Sequence, residues 1–195
     1  MAKGALPDGF KFADLSNEEF RENWDKWGPE IFHANSNHLN IRAVLSDEER
    51  VQIGGLHQKW SELPKINIGI FKDKDFCGWF TGEQFDYETF YMRNSAILPQ
   101  YRRKGLYTAL MSEVLKRTEN MGFQIVTSHH KMTNNSIIIP KLKAGFVISG
   151  IEVSDRFGTH VRLSYFFNAK RRKAMDFRVG DLKTDSELSK ALSLK

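Results

Sequence analysis

Cysteine is nearly absent: Cys77 stands alone in a chain of 195 residues. No disulfide can close within the chain, which excludes a small bridge-stapled secreted scaffold and fits a reducing compartment. Inside "FCGWF" that thiol reads as a small buried hydrophobe, not a nucleophile. Long apolar runs are missing too. Nothing approaches the roughly 18 apolar residues that a membrane span needs. The opening "MAKGALPDGF" has no apolar stretch of the kind a secretory signal carries. These absences predict a cytoplasmic chain with no membrane partner. A broad excess of one charge is also lacking. The formal net charge is +5, but from Asn168 onward eight Lys or Arg face four Asp or Glu, a local +4 that leaves the rest at +1. A near-neutral body argues against nucleic acid as a partner, and the basic tail reads as a solvated charge run. The six His are scattered, and His129-His130 has no Cys or carboxylate pattern beside it, so no metal is expected.

Core-forming residues are plentiful. Hydrophobic residues make up 41%, with 15 Phe and 4 Trp, enough to exclude disorder of the whole chain. The length suits one domain, here 1–167, with 168–195 as a basic C-terminal appendage.

Two helix starts carry the capping-box pattern, Ser16-Asn-Glu-Glu19 and Ser46-Asp-Glu-Glu49. The first helix is expected to stop near Gly28-Pro29, the second before Pro64. The period then changes. "INIGIF", "FCGWFTGEQ" and "YETFYMRNSAIL" read as three antiparallel strands. A helix from about Gly105 to Asn120 follows, then a strand "GFQIVTSHH", a helix over Asn135 to Lys143, and a closing hairpin, "FVISGIEV" with "HVRLSYFF". Strand, helix, strand from Tyr87 to His130 makes a right-handed crossover, so those two strands should be parallel. The fold class is α/β of the α+β type, a mixed, mostly antiparallel sheet with helices on both faces.

One feature does not suit a plain helix start. In "QYRRKGLY" three cations, Arg102, Arg103 and Lys104, precede Gly105 at the mouth of a helix. That end of the macrodipole is already positive. An anion held there would explain the arrangement, because free backbone N–H groups at a helix N-terminus bind phosphate oxygens and glycine lets the backbone come close.

"AILPQYRRKGLYTALM" resembles the acyl-CoA-binding segment of the GNAT N-acyltransferase superfamily, Gln/Arg-x-x-Gly-x-Gly/Ala between a strand and a helix. Here it reads Arg102-Arg-Lys-Gly105-Leu-Tyr107. "NNSIIIPKLKAGF" resembles the family's Asn-led helix closed by Gly-Phe, with Asn134 eleven residues before Gly145. The order of elements agrees from about residue 10 to 167. The resemblance implies a GNAT fold splayed between its two parallel strands, and transfer of acetyl from acetyl-CoA to a primary amine by direct attack. A non-catalytic acyl-CoA-binding module is the alternative. It implies that Arg102, Arg103, Lys104, Gly105, Leu106, Tyr107 and Thr108 meet the CoA phosphates. Pantetheine would then run beside Ser95, Ala96 and Ile97, with Asn134 capping its helix, contacting pantetheine amides, or both. Tyr107 stands in place of the usual small residue, which is tolerable since its side chain can point outwards.

Proton handling departs from the family pattern. Many members carry a Tyr seven residues after the Asn, and here that position is Lys141. It could protonate the leaving thiolate, contact phosphate, or face solvent, the last being the plain expectation. His129 falls where some members hold a base, as a base or as a structural or substrate contact. Glu83 and Glu88 are further acids near strand ends, and His57, on the second helix, could line an acceptor site. The acceptor would be chosen by the first two helices, the loop 32–44 and residues 155–158. Monomer and homodimer both remain open.

Overall fold

The computed structural model describes residues 4–32, 40–180, 183 and 185–193. The part of the predicted acceptor loop over 33–39 lies outside these. Among the described residues, seven strands form one sheet in the order β1-β2-β3-β4-β5-β7-β6. The strands are β1 (Phe10–Asp14), β2 (Lys65–Lys72), β3 (Asp75–Gln84), β4 (Thr89–Ile97), β5 (Ile125–Lys131), β6 (Val147–Ser154) and β7 (Gly158–Phe166). Neighbours are antiparallel except β4 and β5, which are parallel as the crossover predicts.

Helices α3 (Leu106–Asn120) and α4 (Asn135–Lys143) share one large core. Leu106, Leu110 and Val114 of α3 and Ile138 of α4 meet Ile68, Ile70, Phe80, Phe90, Met92, Val126 and Leu163 of the sheet. A second core is aromatic. Helix α1 (Asn17–Phe32) lays Phe20, Trp24, Trp27, Ile31 and Phe32 against Trp79, Ala96 and Leu98. The two cores lie on opposite faces, because adjacent strand residues point opposite ways. Trp79 and Phe80 are both fully buried, one in each core.

Both capping boxes form. Ser16 Oγ accepts from Glu19 N–H while Glu19 accepts from Ser16 N–H, and Ser46 with Glu49 repeats the arrangement at the start of α2 (Asp47–Ser61). The first helix does not stop at Gly28-Pro29 but continues to Phe32. Proline removes one backbone donor. Packing offsets that loss: Gly28 is buried against the Trp24 ring, and Ile31 and Phe32 reach the aromatic core.

Three elements were not expected. Strand β1 adds an edge, with Phe10 and Phe12 packed on the larger core. The tail folds into α5 (Ala169–Arg178) and α6 (Ser186–Ala191). Asn168 caps α5 by accepting from Arg171 N–H. Arg171 then makes a two-pronged ion pair with Glu88 at 2.7 and 2.8 Å, and Leu188 of α6 is buried.

Candidate functional site

Strands β4 and β5 begin side by side and end apart. They pair only over Thr89–Tyr91 against Ile125–Thr127, after which β4 runs on to Ile97 and β5 to Lys131. A bulge contributes to the parting. Thr81 faces Asn94 and Glu83 faces Tyr91, so Met92 and Arg93 together stand against Gly82. An extra residue in one strand bends it and tightens its twist. Gly82 makes room, since a Cβ there would come within 2.5 Å of the Phe90 ring. The result is a stretch, Ser95 to Ile97, paired with β3 on one side and, among the described residues, with no paired strand on the other. Such an edge can bind an extended, amide-bearing ligand as though it were another strand.

The chain leaving that edge turns into α3. Arg103 and Gly105 both take positive φ, 62° and 79°, and no side chain caps the helix. The N–H groups of Leu106, Tyr107 and Thr108 therefore have no intrahelical partner. A Cβ at Gly105 would meet nothing within 4 Å, so the approach is open at that residue, while Gly4 packs against Thr108. Arg102, Arg103 and Lys104 are exposed around it, with Arg102 Nε bonded to the Ile97 carbonyl at 2.9 Å. Phosphate-sized anions fit this combination of free donors, open backbone and cations.

Tyr107 departs from expectation. Its hydroxyl is turned inward rather than outward, buried and facing Ser95 without a well-formed bond, and burial raises its pKa. Asn134 also differs. It precedes α4, but its side chain accepts from Ser136 Oγ at 2.8 Å and caps no backbone N–H, which leaves its amide nitrogen as the group able to meet a ligand.

The parted strands have two faces with different chemistry. On the α1 side, the His129 ring lies 5.2 Å from the Tyr91 ring, and Nε2 is 3.4 Å from Glu152 Oε2, within ion-pair range but not aligned as a hydrogen bond. Arg162 holds the other Glu152 oxygen at 3.3 Å. Burial lowers the His129 pKa, and Glu152 only partly opposes it. Glu83, a candidate from sequence, is buried on this same face and gripped by Arg93. Glu88 is instead tied to the tail, and His57 sits on α2 in a separate cavity of about 320 Å³ with Arg42 and Arg50.

On the α4 side stands Lys141, and it does not face solvent. It is 1% exposed. Its Nζ donates to Ser128 Oγ at 2.7 Å, approaches Met92 Sδ at 3.1 Å and lies 4.8 Å from the centre of the Phe146 ring. Lys141 is three residues from Ile138, on the helix face turned to the core, whereas Ile139 and Leu142 are 49% and 40% exposed. Ile139 and Leu142 thus point out where the lysine points in. Removal from water, with no compensating charge, lowers its pKa from 10.5 to about 7. His130 completes the cluster, with Nε2 3.0 Å from Ser128 Oγ. Burial and then the Lys141 charge push His130 down to about 3.

Ser128 and His130 escaped the sequence, although the period of two in "TSHH" places them on one face. Met92 and Glu152 left no signal, because their approach depends on strand register. A cavity of about 640 Å³ beside Asp14, Asn67 and Arg117 contains none of these residues. Among the described residues no cluster of three potential metal ligands occurs, and no helix is long and apolar enough to cross a membrane.

Residues 11–146 match the acetyltransferase (GNAT) family. Comparison with curated proteins gives no match. Among solved structures, the ribosomal-protein-S18-alanine N-acetyltransferase of Escherichia coli is similar at 14% identity and TM-score 0.60, over 82% of this chain and 94% of that one. A GNAT family acetyltransferase of Elizabethkingia anophelis with acetyl-CoA bound is 12% identical, TM-score 0.57, over 83% and 100%. The spermidine/spermine N-acetyltransferase SpeG of Vibrio cholerae is 15% identical, TM-score 0.58, over 82% and 95%.

Proposed function

The chain belongs to the acetyltransferase (GNAT) family, and we propose that it moves the acetyl group of acetyl-CoA to a primary amine by direct attack. The observation that carries this reading is the parting of β4 from β5 immediately before a helix whose first N–H groups are uncapped and ringed by cations. The Elizabethkingia neighbour, solved with acetyl-CoA, supports that donor. Pantetheine lies along Ser95, Ala96 and Ile97, with the Asn134 amide beside it. The CoA phosphates meet the N–H groups from Gly105 to Thr108 and the charges of Arg102, Arg103 and Lys104. The thioester then stands where the strands begin to part, and a backbone N–H on the open edge polarises its carbonyl.

The attacking nitrogen must lose a proton, since an ammonium has no free electron pair. His129 is the base in this scheme. It faces the α1 side, and burial keeps it neutral at pH 7. The acceptor itself stays open, because the neighbours act on an alanine of ribosomal protein S18 in one case and on spermidine or spermine in another.

Calorimetry with acetyl-CoA and thiol release with a panel of amines test the reading. Wild type should bind acetyl-CoA and release thiol with at least one amine. Gly105→Glu, which puts bulk and negative charge where phosphate must sit, should abolish both in a folded protein. Unchanged affinity would move the phosphate site elsewhere. Binding with no thiol release from any amine would leave an acyl-CoA-binding module.

A further inference from the structure

Helix α2 contributes almost nothing to either core. None of its 15 residues is buried, and the apolar Val51 and Leu56 stand in solvent. What the helix does form is a cavity of about 320 Å³ with the short helical turn Ile41–Val44. Its lining is Arg42, Leu45, Arg50, Ile53, Gly54 and His57, and the four from α2 recur at the spacing of one helix face. The ionisable groups are thus two arginines and a histidine, with no carboxylate among them. Arg50 is held in place, its Nε donating to the Arg42 carbonyl at 3.2 Å and its Nη1 to Asp47 at 3.3 Å. Asp47 is almost wholly exposed, so water screens its charge and leaves Arg50 largely uncompensated. The Arg42 guanidinium has no partner among the described residues. Gly54 forms the floor. Glycine weakens a helix interior, and a Cβ here would meet nothing within 4 Å. A larger residue would suit the helix better and would fill the cavity.

We propose that this cavity is an oxyanion-binding site, taking a carboxylate or phosphate group, and that it is distinct from the phosphate cradle at the start of α3, with which it shares no residue. A guanidinium presents forked N–H donors that match the paired oxygens of either anion. Arg42 reaches the cavity from the turn before α2, Arg50 from the first turn of the helix, and His57 adds a ring nitrogen about two turns further on. Leu45 and Ile53 give an apolar wall to the carbon stem that carries the anion. The volume is at the lower end for small-molecule sites, which suits one charged group and a short stem. The anion has two sources, the far end of the amine acceptor or a free ion. The acceptor qualifies because α2 joins the sheet beside Glu83, on whose face His129 stands. There the Pro64 carbonyl accepts from Gln84 N–H at 2.9 Å, and Lys65 Nζ lies 3.9 Å from Glu83 Oε2.

Titration of the full chain with inorganic phosphate and with succinate, followed by NMR, reads the site directly and needs no acetyl transfer. Gly105→Glu serves as the background, so that the α3 cradle is closed. The Gly54 amide and the His57 ring should shift saturably with either anion, and far less with chloride at equal ionic strength. Arg42→Gln, which breaks no contact of that guanidinium among the described residues, should weaken binding by about 10–100-fold. Gly54→Leu should abolish binding while raising the melting temperature, a pairing that misfolding does not produce. Shifts that fail to saturate, or that chloride reproduces, would overturn the site as charge screening only. Unaltered affinity in both variants would overturn it as well. The source of the anion is read from kcat/KM, a measurement that rests on the transfer reading, with amines paired with their carboxylate- and phosphate-bearing counterparts. A preference for the charged member that falls in Arg42→Gln and is competed by phosphate upholds the site and assigns it to the acceptor. Equal kcat/KM within each pair, with saturable phosphate binding retained, upholds it as a site for a free ion. Transfer to no amine at all would defeat the transfer reading alone, since the titration decides the site without it.

Discussion

His129 and His130 are neighbours in sequence and differ in almost everything else. His129 lies among charged groups on the α1 side, with Glu152 and Arg162 in reach and a tyrosine ring against it. His130 lies on the α4 side with a buried serine and a buried amine. A single peptide unit reverses side-chain direction in a strand, so the two faces of β5 carry different titratable neighbours. In the proposed reaction the α1 face takes a proton from the acceptor.

The strongest way to break the comparison is on the α1 side. His129→Ala should reduce turnover by about 10²–10⁴ while acetyl-CoA affinity holds. The wild-type pH–rate profile should show an acidic limb below the ordinary His value of about 6.5, since burial lowers this pKa. Persistence of that limb in His129→Ala with near-normal rate would reduce His129 to a wall of the cleft.

A smaller effect separates the faces by stability. The folded chain prefers neutral Lys141 above about pH 7, while the unfolded chain keeps that lysine protonated up to about 10.5. Between these values the unfolded state binds more protons, so stability rises with pH across the window. Lys141→Met should therefore stabilise the chain by about 1–4 kcal/mol near pH 6, and the gain should shrink towards pH 10. Urea denaturation at several pH values reads this directly. A gain independent of pH would mean that the amine is neutral throughout or is solvated.

The mildest test sharpens the α1 face alone. Glu152→Gln removes the charge that raises the His129 pKa. The acidic limb should move to lower pH with little change in plateau rate. No movement would show that Glu152 and His129 do not communicate in solution.

What could be read in advance was local. The capping boxes, the α3 start and the Asn-led helix each lie within about a dozen residues of sequence, and the parallel crossover follows from handedness alone. Lys141 was misplaced for a specific reason. Three isoleucines and a leucine in α4 suggest an apolar inward face, yet Ile139 and Leu142 are turned out. The orientation of a short helix is set by what it packs against. The parting of β4 and β5 depends on a one-residue bulge that no pattern of hydrophobicity reveals. Helix α5 was missed because its support is remote: Glu88 lies 83 residues from Arg171.

That remote ion pair has a mechanical consequence. Glu88 stands just before β4, and its carbonyl accepts from the N–H groups of Gln124 and Ile125 at the start of β5. Arg171 grips the same residue from α5. The two strands are thus pinned at one end and free at the other, like a clothes-peg whose pivot is the three-residue ladder. Unzipping from the pinned end would require breaking the ladder and the grip of the tail together. Prising the jaws requires only that β4 flex at its bulge, where the strand is already bent. Any widening that admits a bulkier acyl group should therefore appear as movement of Asn94 to Ile97, with Thr89 to Tyr91 at rest.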